Sequence, residues 1–226
     1  MDATRRAWLA ERRAAVEASY DAEADSFDAH PYPAKAQRRF VARLLATCPP
    51  GGLVLDAPCG TGRYFGQVAA AGRRVVGVDQ SAGMLERARA KGIAVELHRL
   101  ALQDLSFDRE FDAVMTIDAM ENVPPEEWPI VLANLRRAVR AGGHQYLTVE
   151  EIADAVIDDA FVALASQGLP AVRGEVISVD EAAGYHYYPG RPRVEGWLEE
   201  ADLQTVEQDT EIHPSYSYWH LLLRPR

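Results

Sequence analysis

Cysteine is scarce in this 226-residue chain: Cys48 and Cys59 are the only two, with no metal-ligand spacing between them. That leaves no sequence case for a structural metal and fits a reducing, cytoplasmic setting. No apolar run approaches membrane-spanning length, and the N-terminus lacks the apolar core of a signal peptide, so neither a membrane partner nor export is expected. Positive charge is in deficit, with 24 Lys and Arg against 34 Asp and Glu and a net charge of -10. Phosphate binding needs a basic face, so nucleic acid is not an expected partner. The basic stretch "RRAWLAERR", Arg5 to Arg13, reads as the solvated face of an amphipathic helix. Repeats and low-complexity tracts are also missing. What remains is 48% hydrophobic and 26% charged, a balance that suits a soluble globular chain with one sizeable core.

The pattern of apolar residues divides the chain. Residues 1–50 read as an N-terminal helical cap: a helix from about Thr4 to Ala24, a break at "DAHPYP", and a second helix carrying Phe40, Val41, Leu44 and Leu45. From residue 51 strands and helices alternate. "LVLDA", "RVVGVD", "AVELHR", "FDAVMTI" and "HQYLTVE" read as strands. "YFGQVAAAG", "SAGMLERARAKG" and "PEEWPIVLANLRRAVRAGG" read as the helices between them, with Ser81 as an N-cap and Gly92 as a stop. This alternation predicts an α/β fold, a doubly wound and mostly parallel sheet with helices on both faces. A substrate-covering insert is expected over about 151–192, helical at first and then rich in turns. A helix at "VEGWLEEAD" and two closing strands, "TVEQDTEI" and "YSYWHLLLR", complete the chain.

Chemistry concentrates in "LVLDAPCGTGRYFGQVAAAGRRVVGVDQS", Leu53 to Ser81. Gly60 and Gly62 permit a tight turn and close approach of a ligand, and the helix that follows favours a negative group at its start. A nicotinamide dinucleotide wants G-x-G-x-x-G, but Phe65 stands at the third glycine position and Gly66 comes one residue late. Asp56 would also place negative charge near a pyrophosphate. A ligand with a cation beside Asp56 and hydroxyls beside Asp79 fits better.

"VLDAPCGTG", "VVGVDQSAGMLERAR" and "FDAVMTIDAMENVPPEEWPIVLANLRRAVRAGGHQYLTVE" together resemble the motifs of class I S-adenosylmethionine-dependent methyltransferases over about residues 51–150. The resemblance implies a seven-stranded Rossmann-like domain with S-adenosylmethionine as cofactor and S-adenosylhomocysteine as product. It implies that Asp56 faces the methionine ammonium, and that the backbone of Ala57, Pro58, Cys59, Gly60 and Gly62 wraps the methionine and ribose. Asp79 would accept from both ribose hydroxyls, with Gln80 and Met84 beside the adenine. Where many relatives carry an acid that reads the adenine amino group, this chain has Ala101, so the backbone near Leu102 and the side chain of Gln103 would take that role. Tyr20 and Ile117 would close the cofactor site.

The resemblance implies a small-molecule acceptor, methylated at oxygen or nitrogen: relatives that methylate nucleic-acid or amide nitrogens usually carry Asn or Asp followed by Pro-Pro and an aromatic, where this acidic chain has Asp118-Ala119-Met120-Glu121. Tyr32, Asp118, Glu121, Tyr185 and Tyr187 are the candidate acceptor contacts. His186, with His30 behind it, is the candidate base or orienting group. The carboxylates of Asp118, Glu121, Glu150 and Glu151 read first as solvated rim charges, second as an attraction for an amine, and only third as metal ligands; no metal is expected. Methyl transfer leaves no obligatory catalytic residue, so a non-catalytic cofactor-binding protein stays open beside the enzyme.

Overall fold

Short apolar runs bounded by glycine turns form the strands. They are β1 (Leu53–Asp56), β2 (Arg74–Asp79), β3 (Glu96–Arg99), β4 (Phe111–Thr116), β5 (Val139–Glu151), β6 (Glu175–Ile177), β7 (Tyr185–Tyr187), β8 (Leu203–Ile212) and β9 (Ser217–Pro225). The computed structural model describes residues 1–29, 35–177 and 184–226, so His30 and Tyr32 lie outside the described residues. Seven strands make one sheet in the order β3-β2-β1-β4-β5-β9-β8. β3 to β5 are parallel to their neighbours, and β9 and β8 add antiparallel to the edge of β5. This is the doubly wound sheet with a closing hairpin that the sequence predicts. The strand order reverses between β1 and β4, the position at which open α/β sheets bind ligands.

Adjacent residues of a strand point to opposite faces, and each face has its own core. Val54 packs with Phe40, Val41 and Leu44 of α2 (Lys35–Thr47), with Phe65 and Val68 of α3 (Phe65–Ala70) and with Leu85 of α4 (Ala82–Ala90). Leu55 points the other way. Its layer holds Trp8, Leu9 and Val16 of α1 (Ala3–Glu23), Trp128, Val131 and Leu135 of α5 (Trp128–Ala138), and Val194 and Trp197 of α7 (Arg191–Glu200). Trp128 and Trp197 stack with ring centroids 5.2 Å apart. Both N-terminal helices are thus built into the layers on either side of the sheet. Among the described residues, no helix is long and apolar enough to cross a membrane.

Two elements differ from the sequence expectation. The helix expected to run to Gly143 ends at Ala138, and Val139 already belongs to β5. Val139 is fully buried and registers with Phe111, and a Cβ on Gly143 would stand 2.7 Å from the Asp112 carbonyl oxygen, so the backbone must pass close to β4 here. The turn-rich stretch after α6 (Asp154–Ser166) contains the small antiparallel pair β6–β7, with Val176 opposite His186. Three-residue strands carry too little alternation to be read from sequence.

Candidate functional site

The loop after β1 is shaped by close packing. Gly62 has φ +76°, and a Cβ there would meet the Phe65 ring at 2.5 Å. On β2, a Cβ at Gly77 would meet Leu97 at 2.7 Å and the Cys59 Sγ at 2.9 Å, so glycine lets the loop lie directly on the strand. Asp79, at the end of β2, accepts the Gly60 N–H at 2.8 Å on one oxygen and the Ser81 N–H at 2.9 Å on the other. Burial raises its pKa and these backbone bonds work against the rise. Ser81 caps α4 through the Met84 N–H at 3.0 Å and donates its own hydroxyl to Asp21 of α1 at 2.5 Å. The N-cap was legible in the sequence; the bond that ties it to α1 was not, because Asp21 lies 60 residues earlier.

Asp56 is 1% exposed, and its Oδ2 has no hydrogen-bond partner. Burial first, and the neighbouring Asp79 charge second, hold its pKa well above the ordinary carboxylate range. An orphaned carboxyl oxygen of this kind is costly unless a donor or cation completes it.

A cleft opens over the strand ends, enclosing about 1110 Å³ including the part open to solvent. Its floor is the loop from Pro58 through Gly60 to Tyr64, and Asp79, Gln80 and Met84 form one wall. Leu100 to Gln103 form a second wall, and Ile117 to Ala119 with Asn122 form the far end. Arg13, Val16 and Tyr20 of α1, and Phe27 of the turn after it, cover the cleft. The cover is pinned. Thr61 donates to Asp28 at 2.6 Å, Lys91 pairs with Asp28 at 3.0 Å, and Arg63 stacks 5.0 Å from the Phe27 ring centroid. From α5, Asn134 donates to the carbonyls of Leu102 and Gln103 at 3.2 and 2.8 Å and so fixes the wall at those residues. Asn134 was missed in the sequence; a polar residue on the buried stripe of an amphipathic helix was the available signal.

At the far end, Asp118 adopts φ +55°. Its N–H donates to Thr148 Oγ1 at 2.7 Å, and its carboxylate accepts the Tyr218 hydroxyl. Oxygens of Asp118, Glu121 and Glu150 lie within 4.8 Å of one another. The Tyr20 hydroxyl accepts from Asn122 at 3.4 Å, and burial together with the Glu121 and Asp118 charges keeps its proton in place. Tyr64, which sequence reasoning passed over, is 5% exposed and its hydroxyl has no hydrogen-bond partner.

The structure therefore gathers Tyr20, Pro58, Cys59, Gly60, Asp79, Gln80, Met84, Leu102, Gln103, Ile117 and Asp118 around one cleft. Asp56, Ala57 and Gly62 stand behind its floor and are not among its lining residues. Tyr185, His186 and Tyr187 are elsewhere, on β7. Tyr185 is 2% exposed and donates to Glu175 at 2.7 Å, with Trp8 edge-on to its ring. Tyr187 is 1% exposed and accepts from Arg193 at 3.1 Å. His186 is half-buried, 5.9 Å from the Tyr188 ring, and is not among the cleft residues.

A methyltransferase-domain family model matches residues 54–143, the segment that builds the glycine loop, both acid-bearing strand ends and the far wall. That segment is similar to a methyltransferase domain. Over 138 residues it is 34% identical to a malonyl-[acyl-carrier protein] O-methyltransferase of Erwinia pyrifoliae, matching 57% of this chain and 48% of that protein. The corresponding protein of Serratia marcescens is 35% identical over 133 residues, 57% of this chain and 50% of the relative. The chain thus spans about half the length of the curated relatives it matches. Among solved structures, the methyltransferase fold is shared with the Burkholderia thailandensis 1,6-didemethyltoxoflavin-N1-methyltransferase, crystallised with 1,6-didemethyltoxoflavin and S-adenosylhomocysteine. That likeness has a TM-score of 0.71 at 19% identity and covers 100% of this chain and 92% of the other.

Proposed function

We propose that this methyltransferase domain transfers a methyl group from S-adenosylmethionine to an oxygen or nitrogen of a small molecule. The observation that carries the reading is the paired acid arrangement: an orphaned, buried Asp56 carboxyl beneath the glycine loop, and Asp79 fixed by two backbone N–H groups at the cleft wall. Asp56 would hold the ammonium of the cofactor, directly or through a water. Each Asp79 oxygen spends one acceptor position on the backbone and keeps another for a ribose hydroxyl. Met84, Leu102 and Gln103 would flank the adenine, on a wall that Asn134 keeps rigid. When bound, the cofactor supplies a methyl group activated by the sulfonium that carries it.

The work left to the protein is orientation and exclusion of water. α1 and the Phe27 turn cover the cleft, and Ile117, Asp118 and Asn122 bound the place left for an acceptor. A base is required only if the acceptor arrives protonated; Asp118 lines the cleft and suits that task better than His186, which does not. The relatives named for malonyl-[acyl-carrier protein] favour an oxygen acceptor, and the toxoflavin enzyme favours a nitrogen one.

Calorimetric titration with S-adenosylmethionine tests the reading, with NADH as control and Asp79→Ala beside the parent. Saturable binding that Asp79→Ala weakens at least tenfold is expected. Failure to bind, or binding of NADH instead, overturns it.

A further inference from the structure

We propose that the acidic end of the cleft is a subsite for a primary amine, which enters it as the methyl acceptor. The proposal rests on the methyl-transfer reading and narrows the acceptor from oxygen or nitrogen to an amine nitrogen.

The first observation is the convergence of Asp118, Glu121 and Glu150, whose carboxylate oxygens lie within 4.8 Å of one another. They come from the end of β4, the turn after it and the end of β5; Asp118 lines the cleft, and the other two carboxylates lie beside it, outside the cleft lining. Asp118 reaches the cluster through a left-handed backbone, φ +55°, uncommon for non-glycine residues though less so for Asp, and its surroundings hold it there. Thr148 and Tyr218 do so, one on its N–H and the other on its carboxylate.

The second observation is independent and comes from the floor of the cleft. Tyr64, at the end of the glycine loop, is 5% exposed and lines the same cleft as Asp118, and its hydroxyl has no hydrogen-bond partner. Burial first, and the Asp118 charge after it, keep the phenol protonated. Buried hydroxyls are nearly always paired, so this one points to a ligand atom. The half-buried Tyr20 closes the third side, within reach of Asn122.

These groups select an amine. Crowded carboxylates attract a cation, and an ammonium presents only N–H donors, which match carboxylate and phenol oxygens together. Phenol rings also offer their faces to an organic cation. A divalent metal needs a shell of six or more oxygens, from protein or water, in a set geometry around one point. Here one Asp118 oxygen accepts from Tyr218, one Glu121 oxygen accepts from Asn122 at 3.3 Å, and the phenols of Tyr20 and Tyr64 line the same cleft. A carboxylate of the cluster takes one proton from the entering ammonium. The neutral amine keeps its remaining N–H bonds to the protein and has its lone pair free.

The test is calorimetry on the full chain. S-adenosylhomocysteine is titrated first. At saturation, benzylamine, phenethylamine and tyramine are each compared with the alcohol of the same skeleton, and MgCl2 is titrated separately. The amines are expected to bind at least tenfold more tightly than their alcohols. Asp118→Asn should erase that preference, and Tyr64→Phe, a change that keeps the ring, should reduce it several-fold. Alcohols binding as tightly as amines, Mg²⁺ binding that displaces the amines, or no amine binding to a protein that does bind S-adenosylhomocysteine each overturns the amine proposal alone. Failure to bind S-adenosylhomocysteine overturns the methyl-transfer reading beneath it.

Discussion

Asp56 is a group whose environment opposes its ordinary charge. The carboxyl lies under the glycine loop, 1% exposed, with an unmatched oxygen and Asp79 nearby. Its folded pKa stands above the ordinary 3.8, so the folded state holds a proton that the unfolded chain releases. Below that ordinary value both states are protonated and nothing is lost. As pH rises through it the unfolded chain ionises first, and stability falls until the raised folded pKa is passed. Asp56→Asn removes this liability while keeping the shape. The ligand-free variant is expected to be more stable than the parent at neutral pH, by about 1–3 kcal/mol on the scale of an unsatisfied buried polar group, and to lose that part of the pH dependence. Urea denaturation from pH 4 to pH 8 measures both. The same variant should bind S-adenosylmethionine less tightly, which would separate a functional strain from a packing role. A parent protein whose stability is flat with pH over this range would refute the account.

At the scale of the element, α1 carries a dense set of polar contacts. Arg5 is 4% exposed. It donates to Glu175 at 2.8 and 2.6 Å, to Glu126 at 2.9 and 3.1 Å, and to the Pro170 carbonyl at 3.0 Å. Glu175 also accepts from Tyr185 at 2.7 Å and from the Val172 N–H at 2.7 Å. This network joins α1 to β6–β7 and to the segment before α5. Tyr185, a candidate acceptor contact from its sequence surroundings, is spent on it. Removing one partner of a buried ion pair leaves the other charge uncompensated. Arg5→Met is therefore expected to lower stability by about 3–5 kcal/mol, and Arg5→Met with Glu175→Gln to recover part of the loss. Equilibrium unfolding of the two variants decides it; a double variant no more stable than the single one would remove the role assigned to the pair.

For the molecule as a whole, the cleft exists because α1 and the Phe27 turn are laid over a sheet whose strands end beneath them. Asp21 to Ser81, Asp28 to Thr61 and Lys91, and Arg13 to Glu127 all cross from this cover to the α/β layers. A ligand that fills the cleft joins the same two bodies. S-adenosylhomocysteine at a hundred times its dissociation constant should raise stability by about 2.7 kcal/mol. Hydrogen exchange should slow at residues 13–29 as well as in the loop at 57–64. Protection confined to the loop would show that the cover takes no part in binding.

The sequence by itself determined the sheet and the glycine-loop end of the cleft. Alternating strands and helices, Gly60 and Gly62 in the turn, Asp56 and Asp79 at two strand ends and the Ser81 cap are all local, so periodicity and spacing expose them. The tertiary structure alone decided the rest. β5 begins early because Val139 is buried beside Phe111. Asn134 holds a wall whose residues lie about thirty positions earlier. Tyr64 and Asp118 line one cleft, and Tyr185 turns into the core because Arg5 and Glu175 meet there. Each of these depends on contacts between residues far apart in the chain, and such contacts form only when the layers pack, so no local pattern records them.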